Sequence, residues 1–419
     1  MGTADQSWSL SSVTNVRRQA RNAAILLMAL IGFAGAVAEA QTFTVLHNFT
    51  NGPDGGEPVA GLTMDRAGNF YGTASTGGNT AGDCSYPNPP GCGTVFKLSR
   101  RGSGWVLTPI YIFSRPDGAH PHARVVMGPD GSLYGTTSDG GDADEGTVFN
   151  LRPPATACKT ALCPWTETVL YSFQGFTDGA EPTFADLVFD GAGNIYGTTP
   201  HGGQGNNGTV YKLTHSNGGW TETVLYRFQG GRDGAIPYAG LVFDQAGNLW
   251  GTTGFGGTYD DGTIYQLVPS GGGWTESVVY NFLGGSDGAN PYNGLIADQF
   301  GNFYGGTFGY NGTTPKVYEL SPSNGGWTFN TLYSFGQDQG IIGNLTMDAT
   351  GNLYGTMYSG IPEVFRLTPS NGGWTLTGFS GGLGDNPAAN VIFDSSGNLY
   401  TTTQGGGTGE VGLVFEITP

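Results

Sequence analysis

The sequence predicts an all-β protein: a seven-bladed β-propeller with four-stranded antiparallel blades, closed by an N-terminal strand that joins the C-terminal blade. Three observations predict this fold: a glycine-rich phrase recurs seven times, each repeat holds four short apolar runs, and the two ends of the chain are complementary. The phrase has the form D-x-x-G-N-x-Y-G, as in DQAGNLWGTTGFGG at Asp244–Gly257. Its recurring glycine falls at Gly68, Gly131, Gly193, Gly247, Gly301, Gly351 and Gly397. A period of roughly 50 residues is typical of propellers, solenoids and arrays.

Residues 1–40 differ from the rest of the chain and predict a secretory signal peptide. The apolar run Ala23–Val37 is followed by Ala38–Ala40, which has the A-x-A form of a cleavage site. Three basic residues precede the run: Arg17, Arg18 and Arg21. We expect cleavage before Gln41, because a membrane span needs about 20 apolar residues. The expected location is secreted, either extracellular or periplasmic, and the propeller is expected to occupy residues 41–419.

Composition narrows the class of protein. Glycine makes up 76 of 419 residues, and aromatic and charged residues each make up 12%, which fits many short strands joined by glycine turns rather than a disordered chain. Removing residues 1–40 takes away three of 16 basic and two of 33 acidic residues and leaves a net charge of −18. This charge disfavours nucleic acids and anionic membranes as partners. We expect a monomer with no cofactor and no metal.

One repeat, read from Ala239, illustrates the four strands. Its apolar runs, a to d, are Ala239–Asp244, Asn248–Thr253, Gly262–Pro269 and Gly273–Phe282. They are rich in Val, Ile, Tyr, Phe, Trp and Thr, as strands require. The a-to-b joint carries D-x-x-G-N and the c-to-d joint carries S-N-G-G-W or a close variant, both of which favour tight turns.

The two ends of the chain predict ring closure. Thr42–Phe49 has the pattern of an isolated strand d, whereas the last repeat supplies only strands a, b and c. The N-terminal strand is therefore expected to complete the last blade. An open solenoid has no need of this complementarity, so the ends favour the propeller.

The four cysteines form two local pairs, Cys84 with Cys92 and Cys158 with Cys163. An exported protein can retain disulfides, and no histidine lies near either pair to favour metal binding instead. We expect the first pair in the b-to-c loop of blade 1, on the top face, and the second in a c-to-d loop on the bottom face.

The phrases G-N-L-Y-G-T-T, G-G and G-T-V-F-K-L resemble the tandem repeat of bacterial secreted proteins called GloVer repeat proteins, also described as choice-of-anchor proteins. The resemblance covers nearly all of residues 42–419 and implies an exported propeller without a settled activity. The repeat is more distantly similar to that of NHL and SMP-30-like propellers. Some relatives add a C-terminal anchor; because this chain ends at Pro419 inside strand c, we expect release or a periplasmic location.

Two sets of repeated residues are interpreted as structural, because a catalytic site needs one asymmetric group of residues. The repeated aspartates are expected to form turns, with calcium binding as the alternative. They are Asp65, Asp190, Asp244, Asp298, Asp348 and Asp394. The tryptophans that open strand d are expected to pack between blades, with sugar stacking as the alternative. They are Trp105, Trp165, Trp220, Trp274, Trp327 and Trp374.

Departures from the repeat supply the candidate site. The residue before the loop proline and the residue that opens run a both vary, and both are expected at the mouth of the central channel. The predicted ligand-binding residues lie on blades 1 to 3: Glu57, His120, His122, Arg124, Glu181 and Asp186. A group of carboxylates, histidines and an arginine in a concave mouth suits binding or acid–base chemistry. The alternative is that a wet channel mouth tolerates polar residues without any ligand.

Three hypotheses for function follow. The leading one is a binding or scaffold module that recognises an extracellular glycan or protein through its top face. The second is a propeller enzyme, a lyase or hydrolase acting on sugars or lactones, that uses the residues around His120 and Glu181. The third is a cell-surface structural repeat without a discrete ligand. No H-E-x-x-H or C-x-x-C motif occurs, and no residue is assigned a catalytic role.

Overall fold

Strands account for nearly all regular structure in the computed structural model, which describes residues 41–85, 89–154, 165–309, 312–336, 340–358, 363–381 and 384–419. The chain enters through β1 (Thr42–Asn48). Blades 1 to 3 hold β2 (Thr63–Met64), β3 (Phe70–Ala74), β4 (Thr94–Arg101) and β5 (Gly104–Ile112); β6 (Val126–Met127), β7 (Leu133–Thr137), β8 (Thr147–Arg152) and β9 (Thr166–Ser172); and β10 (Val188–Phe189), β11 (Ile195–Thr199), β12 (Thr209–Ser216) and β13 (Gly219–Arg227).

The remaining blades repeat this order. Blades 4 to 6 hold β14 (Val242–Phe243), β15 (Leu249–Thr253), β16 (Thr263–Ser270) and β17 (Gly273–Asn281); β18 (Ile296–Ala297), β19 (Phe303–Gly306), β20 (Lys316–Ser323) and β21 (Gly326–Ser334); and β22 (Thr346–Met347), β23 (Leu353–Thr356), β24 (Val364–Ser370) and β25 (Gly373–Phe379). Blade 7 adds β26 (Gly384–Asp385), β27 (Ile392–Phe393), β28 (Leu399–Thr403), β29 (Gly405–Gly406) and β30 (Leu413–Thr418). Among the described residues, three single turns of 3₁₀-helix lie in loops: Gly82–Cys84, Gln204–Asn206 and Gly231–Asp233.

The predicted ring closure is confirmed. The blade 7 sheet has the order β1-β30-β28-β27, so the N-terminal strand is its outermost member. It pairs antiparallel with β30, from Thr42 opposite Thr418 to Asn48 opposite Leu413. In addition, the Thr402 hydroxyl donates to the Ala60 carbonyl at 2.9 Å, which joins blade 7 to blade 1. Blade 1 is joined to blade 2 in the same way, by Thr73.

The core lies between the blades. All five residues of β11 are buried, and Gly197 in that strand leaves room for the Tyr211 ring of strand c. Aromatic rings continue the packing from one blade to the next: Phe173 of blade 2 meets Tyr211 of blade 3 edge-to-face at 5.1 Å. Equivalent pairs, such as Phe228 with Tyr265, recur around the ring. Each blade is therefore fixed mainly by its neighbours.

The repeated aspartates form turns, as the sequence predicts. In blade 4, Asp244 Oδ1 accepts hydrogen bonds from the amides of Ala246 and Asn248, and Oδ2 accepts from the side chains of Asn248 and Trp250, all at 2.8–3.0 Å. Burial raises the pKa of this carboxyl, but the four hydrogen bonds outweigh burial and the net pKa is lowered.

The strand-d tryptophans pack between blades, also as predicted. Trp105 stacks on Phe70 of its own blade at 5.2 Å and meets Tyr400 of blade 7 at 6.3 Å. Trp274 likewise contacts Tyr196 of the preceding blade at 6.3 Å. Their recurrence is thus explained by packing.

Strand a is shorter than the sequence predicts. The expected run Ala239–Asp244 contains only two ladder residues, Val242 and Phe243. The Ala239 carbonyl instead accepts the Thr198 hydroxyl of the preceding blade at 2.8 Å. The segment before the short strand therefore bonds across blades, so it leaves the ladder of its own sheet.

Cys84 and Cys92 form the expected disulfide in the b-to-c loop of blade 1. The second pair, Cys158 and Cys163, and the expected signal peptide lie outside the described residues. Within the described ranges, we find no helix with the length and apolar character to span a membrane.

Candidate functional site

The loop before each blade (d-to-a) and the loop between its strands b and c lie on one face, as expected, and we call this the top face. The two loops pair directly in most blades: Ala119 bridges Asp139 in blade 2, and Ala235 bridges Phe255 in blade 4. In blade 7 the same pairing forms the short ribbon β26–β29. The top face is thus built from loops held by a repeating backbone frame.

The residue before the loop proline has a left-handed backbone in six blades. These residues are Glu57, His120, Glu181, Ile236, Asn290 and Asn386, with φ between 50° and 58°. The amide of His120 donates to the Cys92 carbonyl of the preceding blade at 2.9 Å, and the amide of Glu181 donates to the Glu145 carbonyl at 2.9 Å. At this position the left-handed backbone thus makes the contact between blades through its amide. The side chain takes no part in this hydrogen bond and can differ from blade to blade.

His120 and His122 belong to one hydrogen-bonded network with Ser138 and Asp139. His120 is buried, its Nδ1 lies 3.0 Å from Asp139 Oδ2, and its Nε2 has no partner among the described residues. Ser138 Oγ lies 2.6 Å from the same carboxylate oxygen and 3.1 Å from His122 Nδ1. Because an ionised carboxylate only accepts, the network assigns donors at Ser138 Oγ and His122 Nδ1, and leaves His122 Nε2 as an acceptor.

His122 is neutral at neutral pH. Burial, followed by the charge of the nearby His120, lowers the pKa of its imidazole to about 4. Its ring lies 5.9 Å from that of Phe184, and both residues line the channel mouth. The mouth thus presents a neutral imidazole beside an aromatic ring.

Arg124 and Asp186 form an ion pair across blades 2 and 3. The Arg124 Nη2 and Nε atoms lie 2.9 and 3.0 Å from Asp186 Oδ2. Farther round the ring, Asn344 Oδ1 accepts the Gly294 amide at 2.7 Å. Arg124, Asp186, Asn344 and Asn390 line a central cavity of about 470 Å³. One polar layer therefore spans the channel just below the mouth.

The two glutamates of the predicted site lie apart from this layer. Glu181 Oε2 is 3.6 Å from His201 Nε2, and 51% of the Glu181 side chain is exposed. Burial raises the pKa of Glu57. Within the described ranges, neither glutamate has a hydrogen bond or ion pair to His120, His122, Arg124 or Asp186. The six predicted residues thus form two connected groups and two separate carboxylates.

The sequence analysis missed a row of aromatic side chains across blades 4 to 6. We call this the aromatic row: Tyr238, Phe255, Tyr292, Phe308 and Tyr358. Tyr292 is its centre, with ring centroids 5.2 Å from Tyr238, 6.0 Å from Phe255 and 5.3 Å from Phe308. Phe308 continues to Tyr358 at 6.2 Å. All five side chains are half-buried on the top face.

One signal in the sequence was available for part of this row. The residue directly after the loop proline is Tyr238 in blade 4, Tyr292 in blade 5 and His122 in blade 2. The other members come from b-to-c loops, which differ in length between blades. The top face therefore has an ionisable side on blades 2 and 3 and an aromatic side on blades 4 to 6.

The described side chains are suited to a polar ligand with apolar faces. Pockets for such ligands combine aromatic walls with a few fixed polar groups, here the Arg124 guanidinium, the Asn344 amide and the His122 Nε2 acceptor. In the described part of the chain, no three or more His, Cys, Asp or Glu residues are grouped to hold a metal ion.

Comparison with solved structures finds similar chains, and the one with a TM-score above 0.5 reported first supports the propeller architecture. A polysaccharide lyase described as PL25 ulvan lyase is similar with a TM-score of 0.54 and 10% identity, over 90% of this chain and 95% of that one. A protein described as a 6-phosphogluconolactonase from Bacteroides uniformis has a TM-score of 0.49 and 15% identity, over 77% of this chain and 83% of that one. A protein described as a glucose dehydrogenase from Thermus thermophilus has a TM-score of 0.45 and 19% identity, over 71% of this chain and 96% of that one. At these identities the likeness concerns the fold alone.

Comparison with curated protein sequences gives no match. The model of the Gloeobacter/Verrucomicrobia repeat, in contrast, matches residues 33–166, 82–314, 162–363 and 275–419. These matches overlap and together span the whole propeller. The chain therefore belongs to the Gloeobacter/Verrucomicrobia repeat family.

Proposed function

We propose that this protein is an exported binding module that recognises an extracellular glycan through its top face. The observation that carries the proposal is the aromatic row, whose five half-buried rings cross three blades beside the channel mouth. A sugar has apolar C–H faces and polar edges, so it suits a surface with aromatic rings on one side and hydrogen-bonding groups on the other.

The polar groups at the mouth complement such a ligand. The Arg124 guanidinium is held by Asp186 at 2.9 Å, so its remaining N–H groups are fixed in direction. The His122 Nε2 atom is an acceptor at neutral pH, because the pKa of this imidazole is lowered to about 4. Preorganised donors and acceptors of this kind lower the entropic cost of binding.

Export is part of the proposal. It is supported by the basic, apolar and A-x-A pattern of residues 1–40 and by the Cys84–Cys92 disulfide, since disulfides persist in oxidising compartments. Expression of the full chain with a C-terminal epitope, followed by N-terminal sequencing of the released protein, tests it. The expected new N-terminus is Gln41; retention of residues 1–40 on the released protein would contradict export by cleavage.

A glycan array with the chain from residue 41 onward tests the binding proposal. We expect retention on a defined subset of oligosaccharides, followed by a saturable isotherm with one site per chain in calorimetry. If no saccharide binds while a pull-down captures a protein, the ligand is a protein. If neither binds, the structural-repeat hypothesis replaces the proposal.

A second candidate function is a lyase or hydrolase acting on sugars or lactones. The observation that favours it is the Asp139–Ser138–His122 network, which leaves a neutral imidazole nitrogen as a potential base at the mouth. The fold similarity to a polysaccharide lyase is compatible with it. Turnover of any screened saccharide that is lost in His122→Ala, with an unchanged melting temperature, would support this function over simple binding.

A further inference from the structure

We propose that the central channel binds an amphiphilic carboxylate, with its head group at the polar layer below the mouth and its apolar chain in the cavity beneath that layer. This second ligand goes beyond the proposed glycan binding on the top face and does not depend on it. The proposal is drawn from two layers of side chains on the innermost strands: one offers hydrogen-bond donors and the other offers apolar surface.

The upper layer, which we call the collar, consists of the residue two positions before strand a in each blade. In blades 1 to 7 these residues are Gly61, Arg124, Asp186, Gly240, Gly294, Asn344 and Asn390. The asparagines lie across seams between blades. Asn344 Oδ1 accepts the Gly294 amide at 2.7 Å, and Asn390 Oδ1 occupies the place that a Cβ at Gly61 would take. Glycines in the collar therefore make room for the long side chains of neighbouring blades.

The collar offers donors to a ligand, because its carboxylate is used within the layer. Asp186 Oδ2 lies 2.9 Å from Arg124 Nη2 and 3.0 Å from Nε, and Oδ1 accepts the Arg124 amide at 3.3 Å. Among the described residues, Arg124 Nη1 and Asn344 Nδ2 have no hydrogen-bond partner, and both residues line the cavity. These groups only donate. They suit an oxygen acceptor, and a carboxylate forms the stronger, charge-assisted hydrogen bonds.

The lower layer, which we call the apolar ring, consists of the first residue of strand a in blades 3 to 7. These residues are Val188, Val242, Ile296, Thr346 and Ile392, all half-buried and all lining the cavity. The hydroxyl of Thr346 donates to the Val391 carbonyl at 2.6 Å, so it is not available to a ligand. Two residues of extended chain span roughly 6.5 Å, which places this ring that far below the collar. The ring therefore suits a hydrocarbon chain that continues downward from the head group.

The channel has room for such a chain only below the collar. The cavity there has a volume of about 470 Å³, which is within the range of about 300–1,000 Å³ that small-molecule sites occupy. The mouth above the collar has a volume of about 30 Å³, which is roughly the share of one water molecule. The ligand therefore enters from the bottom face, where the innermost strands meet the aspartate turns, and its head group stops at the collar.

Calorimetry of the chain from residue 41 onward tests the proposal with octanoate at about pH 7.5, where a carboxylate is ionised and an alkylammonium is protonated. We expect octanoate to bind at one saturable site per chain. Butanoate should bind at least about tenfold more weakly, because a shorter chain buries fewer CH₂ groups. n-Octylammonium should also bind at least about tenfold more weakly, because a cation cannot accept from the collar donors. Equal or tighter binding of n-octylammonium, or no saturable octanoate site, overturns the proposal.

A double variant of the collar tests the head-group contact. Arg124→Asn/Asp186→Asn keeps the net charge, and Asn already occupies the collar position in blades 6 and 7, so we expect it to fold. Octanoate affinity should fall by about tenfold or more, because the guanidinium donors are removed. The matched control is Asp142→Asn/Arg232→Asn, which removes the same two charges from exposed loops and should keep octanoate affinity within about twofold.

A cavity-filling variant tests the chain contact. Ile296→Phe places a ring in the cavity and should weaken octanoate binding by about tenfold or more, because the larger side chain takes the space of the ligand. If its melting temperature shows that this variant does not fold, Val188→Phe makes the equivalent change in blade 3. A glycan identified on the array should bind the folded cavity variant normally, which separates the two sites. Unchanged octanoate affinity in the collar variant and in the folded cavity variant overturns the channel site and leaves the proposed glycan binding in place.

Discussion

The bottom and top faces of this propeller use repetition in opposite ways. On the bottom face, six blades repeat the same aspartate turn, and the Asp244 carboxylate alone accepts four hydrogen bonds of 2.8–3.0 Å. On the top face, the backbone contacts between blades repeat, but the side chains that they carry range from Glu181 to Ile236 to Asn290. Side chains that repeat thus stabilise the fold, whereas side chains that vary on a constant backbone are free to acquire a function.

The largest expected difference between the faces is in stability. Asp244→Ala removes a half-buried acceptor of these hydrogen bonds, so we expect the free energy of unfolding to fall by ~2–4 kcal/mol. The matched control is Asp142→Ala in an exposed top loop, which should change it by less than ~0.5 kcal/mol. Chemical denaturation measures both values; equal losses would contradict the contrast between the faces.

The disulfide in blade 1 is a part of the top face where substitution should lower stability substantially. Cys84 and Cys92 close a loop with a sequence separation of 8, so the double variant Cys84→Ser/Cys92→Ser should lose ~2–3 kcal/mol of stability. With Cys158→Ser/Cys163→Ser introduced into both proteins, reductant can act on the Cys84–Cys92 disulfide alone. Reduction should then give the same loss in the protein that keeps Cys84 and Cys92, and should have no effect on the variant that lacks them. The same denaturation midpoint for the wild-type protein with and without reductant would contradict this assignment.

A glutamate on an outer strand makes the stability of the propeller depend on pH. Burial, and then the charge of Asp178, raise the pKa of Glu222 to about 7, and its Oε1 has no partner among the described residues. A pKa raised above the unfolded value means that the folded state binds the proton more tightly. The contribution of protonated Glu222 to the free energy of unfolding is therefore complete below about pH 4.5 and is lost as the pH rises through about 7.

Glu222→Gln tests this dependence. Because the group is only partly buried, we expect the wild-type protein to lose ~1 kcal/mol more stability than the variant between pH 5 and pH 8. Glu410→Gln, which changes an exposed glutamate, is the control and should follow the wild-type curve. Parallel curves for wild type and Glu222→Gln would show that the glutamate has an ordinary pKa.

The smallest expected effect is at the left-handed positions of the top face. Ile236 has φ of 58°, which is unfavourable for a β-branched residue. Ile236→Asn should therefore raise the free energy of unfolding by ~0.5–1 kcal/mol. Ile342→Asn makes the same change on the top face at a residue outside the left-handed set and should not stabilise the protein.

The repeating part of the molecule was predictable from sequence, because it depends on local chemistry. The D-x-x-G-N turns, the four strands of each repeat and the unpaired strand at Thr42–Phe49 each follow from turn residues, alternation and length. The sequence also predicted that Arg124 and Asp186 lie close together, because both residues open the innermost run of adjacent blades.

The varying part was less predictable, because it depends on contacts between blades. Glu181 turns to His201 rather than to His120, since the left-handed backbone and the b-to-c loop of its own blade determine its neighbours. The aromatic row combines two kinds of loop: Tyr238 and Tyr292 follow the loop proline, whereas the other members lie in b-to-c loops of unequal length, so no single spacing in sequence marks the whole row. Only the three-dimensional structure brings Tyr292, Phe308 and Tyr358 into one line.

The dissociation constant of a glycan for Tyr292→Ala and Tyr259→Ala tests the central claim most directly. Tyr292 is the centre of the aromatic row, whereas Tyr259 is a more exposed tyrosine in the b-to-c loop of blade 4, outside the row. The account predicts that Tyr292→Ala weakens binding by about tenfold or more, since ring contacts contribute ~0.5–1.5 kcal/mol beyond the area that they bury. It predicts a change within about twofold for Tyr259→Ala. Equal effects of the two substitutions, or a normal affinity in Tyr292→Ala, would contradict a glycan site on the aromatic row.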